Sequence, residues 1–410
     1  MAYKLTRQAL ILDLYAAFQC AKRHKTSRPY VHTFERRLKR NIESLADDLL
    51  SRRYMPEPSS CFIVEHPKKR EVFAAQFRDR VVHHLYYNYT HGLFERTFIE
   101  DTYSCIPGRG THYGIERLTK HIRQESDNWH KKCYVMKLDI RGYFMHINRK
   151  KLLELANGTL KKMAKRPCGE AQGTTAFPCG ETARHTTWED ILDIDFMLWL
   201  TEQIVMLDPK THCMIVGDMS DWEGLDKNKS LFWTNDGCGL PIGNLTSQLF
   251  SNVYLNAFDQ FMKRVLKCKH YGRYVDDAYV VSQDKEWLLS IVPKMDAFLR
   301  EQLGLELHQG KLILSDAKNG VEFLGGFVKP FRTYISNSTL GRTLRGIREM
   351  DLNNVNKVWR SVNSFLGMMV HYDSYNIRCR VFLRPEILRA GHFDKDMTKF
   401  YKVEELLDAA

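Results

Sequence analysis

Three aspartates stand at positions where carboxylates can do metal chemistry. Asp139 closes the apolar segment 133–140, and Asp276 and Asp277 stand between two short apolar runs within residues 271–282. The length and β-branching of these runs predict a buried strand and a hairpin. Carboxylates beside buried chain must be solvated, paired or bound to cations, and three that converge repel one another unless divalent ions neutralise them. Oxygen ligands completed by water suit Mg²⁺.

A pair of such ions catalyses phosphoryl transfer. One ion activates an attacking hydroxyl, and the other holds a triphosphate and stabilises the leaving group. For Asp276 and Asp277 alone, the competing interpretation is an exposed turn, where aspartate is common. The apolar hairpin arms, the second strand that ends in Asp139 and the basic chain together favour the metal site. We therefore predict two Mg²⁺ ions, which Mn²⁺ is able to replace.

The charge of the chain indicates a polyanionic partner. Its 410 residues contain 61 Lys and Arg against 49 Asp and Glu, which gives a net charge of +12, and 44% of them are hydrophobic. This composition excludes whole-chain disorder and a fibrous repeat, and so basic a chain favours nucleic acid. The window 21–40 holds eight Lys and Arg and one acid, Glu35. It is either a solvated face or a surface that contacts phosphates.

The sequence predicts neither a membrane protein nor a disulfide framework. No apolar run approaches the ~20 residues of a membrane span, and the N-terminus lacks the cleavage site of a signal peptide. We expect a cytoplasmic protein that binds no membrane. The ten cysteines stand singly, without a CxxC pair, which favours free thiols. A zinc site from Cys168, Cys179, His185, His212 and Cys213 is the weaker alternative, because its spacing differs from that of common zinc fingers.

Hydrophobic periodicity places the other elements around the aspartates. We predict helices at 5–24, 31–52, 76–89, 189–206, 243–266 and 285–303, a further helical stretch at 341–380, two short strands within 61–74 and a strand at 320–328. Residues 157–236 form a long insertion in which loops flank one helix.

Several segments together resemble the motifs of reverse transcriptases, in the family's order, over roughly residues 60–330. YVDD in a hairpin resembles the catalytic motif, and LDIRGYF resembles the palm motif before it. GLPIGNLTSQLFSNVYLN resembles the palm motif on the nucleotide side, PKKREVFAAQFRDRVVHH the fingers motif, and HQGK and VEFLGG the later palm motifs. The resemblance implies an α+β right-hand polymerase with fingers, a palm that contains an antiparallel sheet, and a helical thumb.

The resemblance also implies domain boundaries. They are an N-terminal helical extension at 1–60, fingers at 61–132, a palm at 133–330 with the insertion at about 157–236, and a thumb with the C-terminal segment at 331–410. The insertion is left unassigned by the resemblance. It either contacts RNA or a partner, or decorates the surface, and we favour decoration.

Residue roles follow from the resemblance and the chemistry together. Asp139 and Asp276 are expected to ligate both metals with the Ile140 carbonyl, and Asp277 to support the site. The expected dNTP-binding residues are Lys68, Arg70, Arg78, Gly142, Tyr143, Phe144, Ile242, Gly243 and Lys311. The expected template and primer contacts are Arg80, Ser247, Gln248, Tyr274 and Gly325.

Several of these roles compete with simpler ones. Lys68 and Arg70 either clamp the triphosphate or lie in an exposed basic turn. Phe144 either forms a floor that a ribose 2′-hydroxyl would strike, or packs in the core. Lys311 either donates a proton to pyrophosphate or is a surface lysine. Arg80 faces the template or nucleotide, or pairs with a nearby acid.

Two residues that differ from those of most reverse transcriptases narrow the resemblance to one group within the family. Ile242 stands where most reverse transcriptases carry Gln, and Gln248 stands where they carry Pro. This pattern is similar to the enzymes of diversity-generating retroelements, which copy a template RNA into cDNA with errors at adenine and act with a small basic accessory variability protein. Loss of a polar contact near the nucleotide weakens checking of the base pair. Low fidelity is therefore a hypothesis.

The resemblance thus implies an RNA-directed DNA polymerase that acts on template RNA, the RNA–DNA hybrid and dNTPs, in mutagenic retrohoming. One alternative keeps the chemistry: a defence-associated bacterial reverse transcriptase that copies a noncoding RNA in antiphage immunity. The other belongs to a different class, a basic RNA-binding protein with a dead palm. The intact Asp139, Asp276 and Asp277 argue against the second alternative.

Overall fold

The computed structural model describes residues 3–65, 68–167 and 187–403. The helices are α1 Arg7–Lys22, α2 Pro29–Glu35, α3 Leu38–Leu50, α4 Phe77–Glu95, α5 Thr111–Glu125, α6 Tyr143–His146, α7 Arg149–Ala164, α8 Ile194–Met206, α9 Leu245–Arg264, α10 Lys285–Phe298, α11 Asn337–Arg348, α12 Val355–Met369, α13 Tyr375–Phe382 and α14 Pro385–Leu388. The strands are β1 Ser59–Val64, β2 Arg70–Ala74, β3 Tyr134–Leu138, β4 Cys213–Ile215, β5 His270–Tyr274, β6 Asp277–Ser282, β7 Ile313–Asp316, β8 Val321–Phe323, β9 Gly326–Lys329, β10 Arg332–Ile335, β11 Gly391–Phe393 and β12 Phe400–Lys402.

The chain divides into two compact units. The first contains Met1–Ile106, Asp139–Cys268 and Ile291–Gln309, and the second contains Pro107–Leu138, Lys269–Ser290 and Gly310–Ala410. The units cut across the predicted boundaries of fingers, palm and thumb, which stay a prediction. Since helices and mostly antiparallel strands occupy separate segments, the fold is of the α+β class, as predicted.

The first unit is built on helices that share an apolar core. α4 buries ten of its side chains and packs against α1 and α9, and α9 buries twelve. A three-stranded sheet in the order β2-β1-β4 lies in the same unit. β1 pairs antiparallel with β2 and parallel with β4. The sheet therefore joins the predicted fingers hairpin to a strand of the insertion.

The second unit contains the sheet that carries the YVDD hairpin. Its order is β5-β6-β3-β7, and all neighbours are antiparallel. The central strands are short, apolar and β-branched, as expected for buried strands. A second antiparallel sheet, β8-β9-β10, precedes the helices α11 to α13.

Three sequence predictions change in detail. The predicted helix 31–52 is two helices, because the chain turns at Arg36 and Arg37 between α2 and α3. The predicted strand 320–328 is the hairpin of β8 and β9, which turns at Leu324 and Gly325, both with positive φ. The helical stretch 341–380 is divided among three helices. In the described ranges, no helix combines the length and apolarity needed to cross a membrane.

Candidate active site

The aspartate pair lies at the tip of the β5–β6 hairpin. Tyr274 lies opposite Asp277, so that Val275 and Asp276 form a two-residue turn. Val275 has a φ of +56°. This region is unfavourable for a β-branched residue and is associated with turns and functional sites. The backbone conformation thus presents Asp276 at the turn and the exposed Asp277 at the first position of β6.

A buried arginine supports this turn. The Arg273 side chain is 0% exposed, and its Nη1 donates to the Val275 carbonyl at 2.9 Å. A buried guanidinium needs such acceptors because its desolvation is costly. Arg273 thereby ties the hairpin tip to its own arm. Sequence analysis missed this residue, although an arginine within an otherwise apolar strand was a visible signal.

The pairing of β3 with β6 places the residue that precedes Asp139 in the sheet. Leu138 lies opposite Ala278 at the ends of β3 and β6. Asp139 follows Leu138 directly in the chain, and Asp277 directly precedes Ala278. The peptide bonds that lead into Asp139 and out of Asp277 therefore belong to the same end of the antiparallel β3–β6 pair.

In the first unit, the backbone around Asp139 is held by residues 306–308. The Asp139 carbonyl accepts from the His308 amide at 2.8 Å, and the Arg141 amide donates to the Glu306 carbonyl at 2.9 Å. Between these bonds, Ile140 lies opposite Leu307. Neither of these backbone hydrogen bonds uses the Ile140 carbonyl oxygen. A carbonyl that ligates a metal must have its oxygen available in this way. The Asp139 side chain is 9% exposed.

The donor chemistry of the three aspartates fits Mg²⁺, but the described side chains do not form a complete metal site. Carboxylate oxygens are its preferred ligands. In residues 3–65, 68–167 and 187–403, no group of three or more His, Cys, Asp or Glu side chains is arranged to hold a metal ion. The convergence of Asp139, Asp276 and Asp277 therefore stays a proposal. The possible zinc ligands Cys168, Cys179 and His185 lie outside the described residues.

Phe144 and Ile242 pack against the same apolar cluster in the first unit. Both are half-buried, and the cluster contains Cys61, Phe73 and neighbouring residues. The Ile242 carbonyl accepts from the Phe73 amide at 2.9 Å. The predicted floor and the predicted nucleotide-side residue thus share one apolar surface with the fingers strand β2. Core packing accounts for part of the Phe144 ring, and the remainder is exposed, so its role as a floor under the sugar stays a prediction.

Gly243 is required by close packing. It has a φ of +121°, and a Cβ there would lie 2.9 Å from Val72 Cγ1 and 3.3 Å from the Phe73 carbonyl oxygen. The neighbour that excludes a side chain is β2, and the expected contact of Gly243 with the dNTP stays a prediction. Gly142 is left-handed as well, at the start of α6. Tyr143, next to it, is buried, and its hydroxyl donates to the Ser251 carbonyl.

Four of the basic residues expected at the nucleotide or the template fall into two groups. Lys68 and Arg70 are exposed beside the β1–β2 turn. Arg78, in contrast, bonds Asp48 at 2.9 Å and also the Met55 carbonyl. Arg80 donates to the Ala75 carbonyl at 2.7 Å. Arg78 and Arg80 thus bond other parts of the protein, as residues that support the fold do. The acceptor of Arg80 is a backbone carbonyl, whereas one of the two alternatives predicted a nearby acid.

The remaining predicted contacts differ in exposure. Ser247 is buried, Gln248 and Lys311 are exposed, and Tyr274 is half-buried beside the aspartate turn. Gly325 has a φ of +88°, and a Cβ there would lie 2.9 Å from Thr339 Oγ1. The positive φ and the close approach of Thr339 are sufficient reasons for a glycine at this position, and neither requires a contact with nucleic acid.

The insertion contacts the β2-β1-β4 sheet through hydrogen bonds to a buried glutamate and through strand pairing. The Glu71 side chain on β2 is 1% exposed, and its carboxylate accepts from Trp222 Nε1 at 2.7 Å, from the Ser230 hydroxyl at 2.6 Å and from the Leu231 amide at 2.6 Å. β4, also from the insertion, pairs with β1. These contacts attach part of the insertion to the sheet, although most of residues 213–231 are exposed, and the choice between surface decoration and contact with RNA or a partner stays a prediction.

Comparison with protein families identifies the central part of the chain. Residues 201–327 match a family described as "Reverse transcriptase (RNA-dependent DNA polymerase)". The matched segment includes Ile242, Gln248 and the whole YVDD hairpin, and Asp139 precedes it. Residues 201–327 therefore resemble a reverse transcriptase domain. Together with the α+β architecture, this match confirms the predicted right-hand polymerase fold.

Solved telomerase structures match the chain at low sequence identity and with TM-scores below 0.5. Telomerase from Candida albicans with a fragment of telomeric RNA has a TM-score of 0.46 and 12% identity, over 76% of this chain and 55% of that one. Apo telomerase from Candida tropicalis has a TM-score of 0.46 and 11% identity, over 81% and 57%. This chain thus matches little more than half the length of those proteins. A comparison with curated proteins finds no match.

Proposed function

We propose that the protein is an RNA-directed DNA polymerase that makes cDNA from a template RNA by two-metal nucleotidyl transfer. The observation that carries the proposal is the reverse transcriptase match over residues 201–327, within which an antiparallel hairpin presents Asp276 and Asp277 at its tip. The primer 3′-hydroxyl attacks the α-phosphate of a dNTP, the new phosphodiester forms, and pyrophosphate leaves.

Asp139, Asp276 and the Ile140 carbonyl hold two Mg²⁺ ions in this proposal, and Asp277 supports them. The support comes from the β3–β6 register, the unused Ile140 carbonyl and the oxygen donors. Such ions lower the pKa of the attacking hydroxyl and stabilise the leaving pyrophosphate when bound. Arg273 holds the turn that carries Asp276.

The nucleotide lies against the surface of Phe144 and Ile242 in the same proposal. Lys68 and Arg70 meet its phosphates, since both are exposed beside the β1–β2 turn. Gln248 and Lys311 are exposed, which is compatible with their proposed contacts to the nucleotide and template. The hydrogen bonds of Arg78 and Arg80 favour a role in support of the fold. The apolar Ile242 supports error-prone synthesis in a diversity-generating retroelement.

The direct test is incorporation of labelled dNTPs on an RNA template with an annealed DNA primer. We expect extension that needs Mg²⁺ and falls to background in Asp276→Asn. Asp396→Asn, an exposed aspartate on a turn, is the matched control and retains wild-type extension. A folded wild-type protein that binds RNA and extends nothing would favour the non-catalytic RNA-binding alternative.

A further inference from the structure

Seven cationic side chains cluster in sequence around α2 without acidic partners. We call them the N-terminal basic surface: Arg23, Lys25, Arg28, Arg36, Arg37, Lys39 and Arg40. Six are exposed and Lys25 is half-buried. The one acid in residues 21–40, Glu35, is already bonded to Lys22, with Nζ and Oε1 2.9 Å apart. The charge of the seven is therefore not neutralised within this segment.

The next acid along the chain, Glu43 of α3, forms no ion pair within the described residues, and the two acids after it are engaged elsewhere. On α3, Asp47 pairs with Arg7 at 2.6 Å and Asp48 pairs with Arg78 at 2.9 Å. Within the described parts of the chain, the seven side chains form no ion pair. A surface that only required solubility would mix both signs of charge, whereas this one is of a single sign.

The segment is held rigidly by an aromatic cluster. Phe34 of α2 stacks on Phe18 of α1 with ring centroids 5.9 Å apart, and it meets Phe77 of α4 edge-on at 5.3 Å. Phe18 and Phe77 also contact each other at 6.1 Å. Two of the seven cations lie on α3, and the other five lie in the turns that flank α2. The aromatic cluster fixes the helices that these turns connect, which lowers the entropy that a bound partner must offset.

An aromatic ring lies among the cations. Tyr30 is 39% exposed, and the Arg80 guanidinium lies over its ring, 5.0 Å from the centroid. Cations interleaved with an exposed aromatic ring suit a nucleic acid, because phosphates meet the charges and a base stacks on the ring. Arg23 and Lys25 also help to lower the pKa of nearby His84, although burial is the larger cause.

The same surface does not suit a membrane. An interfacial helix needs an apolar face toward the lipid. The apolar side chains of α2 and α3, such as Val31, Ile42 and Leu45, are instead buried in the unit. Five of the seven cations are arginines, which bind phosphate in a bidentate manner.

We propose that the N-terminal basic surface binds the phosphate backbone of a structured RNA, as a docking site made of residues other than those assigned to catalysis. This binding does not depend on polymerase activity. Only the statement that the bound RNA is the one that carries the template rests on the proposed function.

The test measures binding of the full chain to a blunt, fluorescently labelled RNA hairpin of roughly 20 base pairs, which offers no template overhang to copy. The variant changes Arg28, Arg36, Arg37 and Arg40 to Gln. The control removes the same charge from another exposed region by changing Lys150, Lys161, Lys162 and Lys165 to Gln. Anisotropy is recorded over a series of salt concentrations for each protein.

We expect the arginine variant to bind at least about tenfold more weakly near physiological salt, with a log–log salt slope shallower by roughly 3–4, because each lost phosphate contact contributes ~0.9. The lysine control should change the slope by less than about 1. Extension of a preannealed primer–template by the arginine variant should stay within about twofold of wild type. If the quadruple variant does not fold, Arg36→Gln with Arg37→Gln should still reduce the slope by about 2.

Three results would overturn the proposal: unchanged affinity and slope in a folded arginine variant, an equal loss in the lysine control, or stronger arginine-dependent binding to phosphatidylserine vesicles than to the hairpin. A wild-type protein that binds the hairpin through these arginines but incorporates no dNTP would remove the polymerase proposal and support the docking site.

Discussion

Arg273 is the residue on which the shape of the aspartate turn depends most. It is fully buried, and its guanidinium holds the carbonyl of Val275, whose φ of +56° is unfavourable for valine. A hydrogen bond from a charged group is worth roughly 1.5–3 kcal/mol. The bond therefore offsets backbone strain at the point where Asp276 is presented.

Replacement of Arg273 by Met should lower the free energy of unfolding by about 2–3 kcal/mol. The physical reason is the loss of this donor at similar side-chain volume, and urea unfolding measures it. Arg264→Met, at an exposed arginine that bonds Gln260, should change stability by less than about 0.5 kcal/mol. Equal unfolding midpoints for Arg273→Met and wild type would show that the bond does not support the turn.

Ile242 is the residue that the fidelity hypothesis places at the nucleotide. Ile242→Gln should lower the substitution frequency in cDNA, because an amide can bond a correctly placed base pair and is left unpaired by a wrong one. Ile242→Leu keeps an apolar side chain on the cluster with Phe73 and should leave the frequency unchanged. Sequencing of cDNA from one defined RNA measures both. An unchanged error rate in an active Ile242→Gln enzyme would contradict the hypothesis.

At the scale of elements, Glu71 joins the fingers hairpin to the insertion. Its carboxylate receives three donors from residues 222–231. Glu71→Gln replaces one acceptor oxygen by an NH₂ group that faces a donor, so we expect a loss of about 1–3 kcal/mol. Proteolysis should also become faster within 213–235. Glu65→Gln, an exposed acid next to the same turn, should do neither, and thermal melting with limited proteolysis will distinguish the two variants.

His83 connects α4 to the start of α9. Its Nδ1 is hydrogen-bonded to the Thr246 hydroxyl, and burial chiefly, with neighbouring positive charge, lowers its pKa from 6.5 to about 4. Between these values the unfolded chain binds more protons than the folded chain, so the free energy of unfolding falls as the pH falls. The contribution of neutral His83 is fully present above pH 6.5.

His83→Gln should therefore weaken the fall in stability between pH 7 and pH 5. His24→Gln, at an exposed histidine outside any helix, should leave the wild-type fall unchanged. Urea unfolding at the two pH values measures the difference. A His83→Gln variant that loses as much stability as wild type would contradict the assignment.

For the molecule as a whole, sequence patterns predicted those features that depend on local chemistry. The apolar runs on either side of Asp276 and Asp277 predicted the hairpin, and the β-branched run before Asp139 predicted β3. The sequence patterns did not reveal pairings between distant segments. β4 pairs with β1 across some 150 residues, and Glu71 meets donors equally far along the chain.

Arginines in particular show why a motif does not fix a role. Arg78 lies in the fingers motif, yet Asp48 of α3 and the Met55 carbonyl take up its guanidinium. Arg273 lies next to the YVDD motif, and although its place in an apolar strand was visible in the sequence, its hydrogen bond to the Val275 carbonyl was not. Both outcomes depend on which partners the fold brings within hydrogen-bond distance, and periodicity carries no information about that.

The measurement that tests the central claim most directly is cleavage of the backbone by bound iron. Fe²⁺ in place of Mg²⁺, with ascorbate and peroxide, generates radicals that cut the chain beside the ion. We predict cuts next to both Asp139 and Asp276–Asp277, suppressed by excess Mg²⁺, lost in Asp276→Asn and retained in Asp396→Asn. Cuts at the hairpin without any near Asp139, or a pattern that Asp276→Asn leaves unchanged, would contradict a shared metal site.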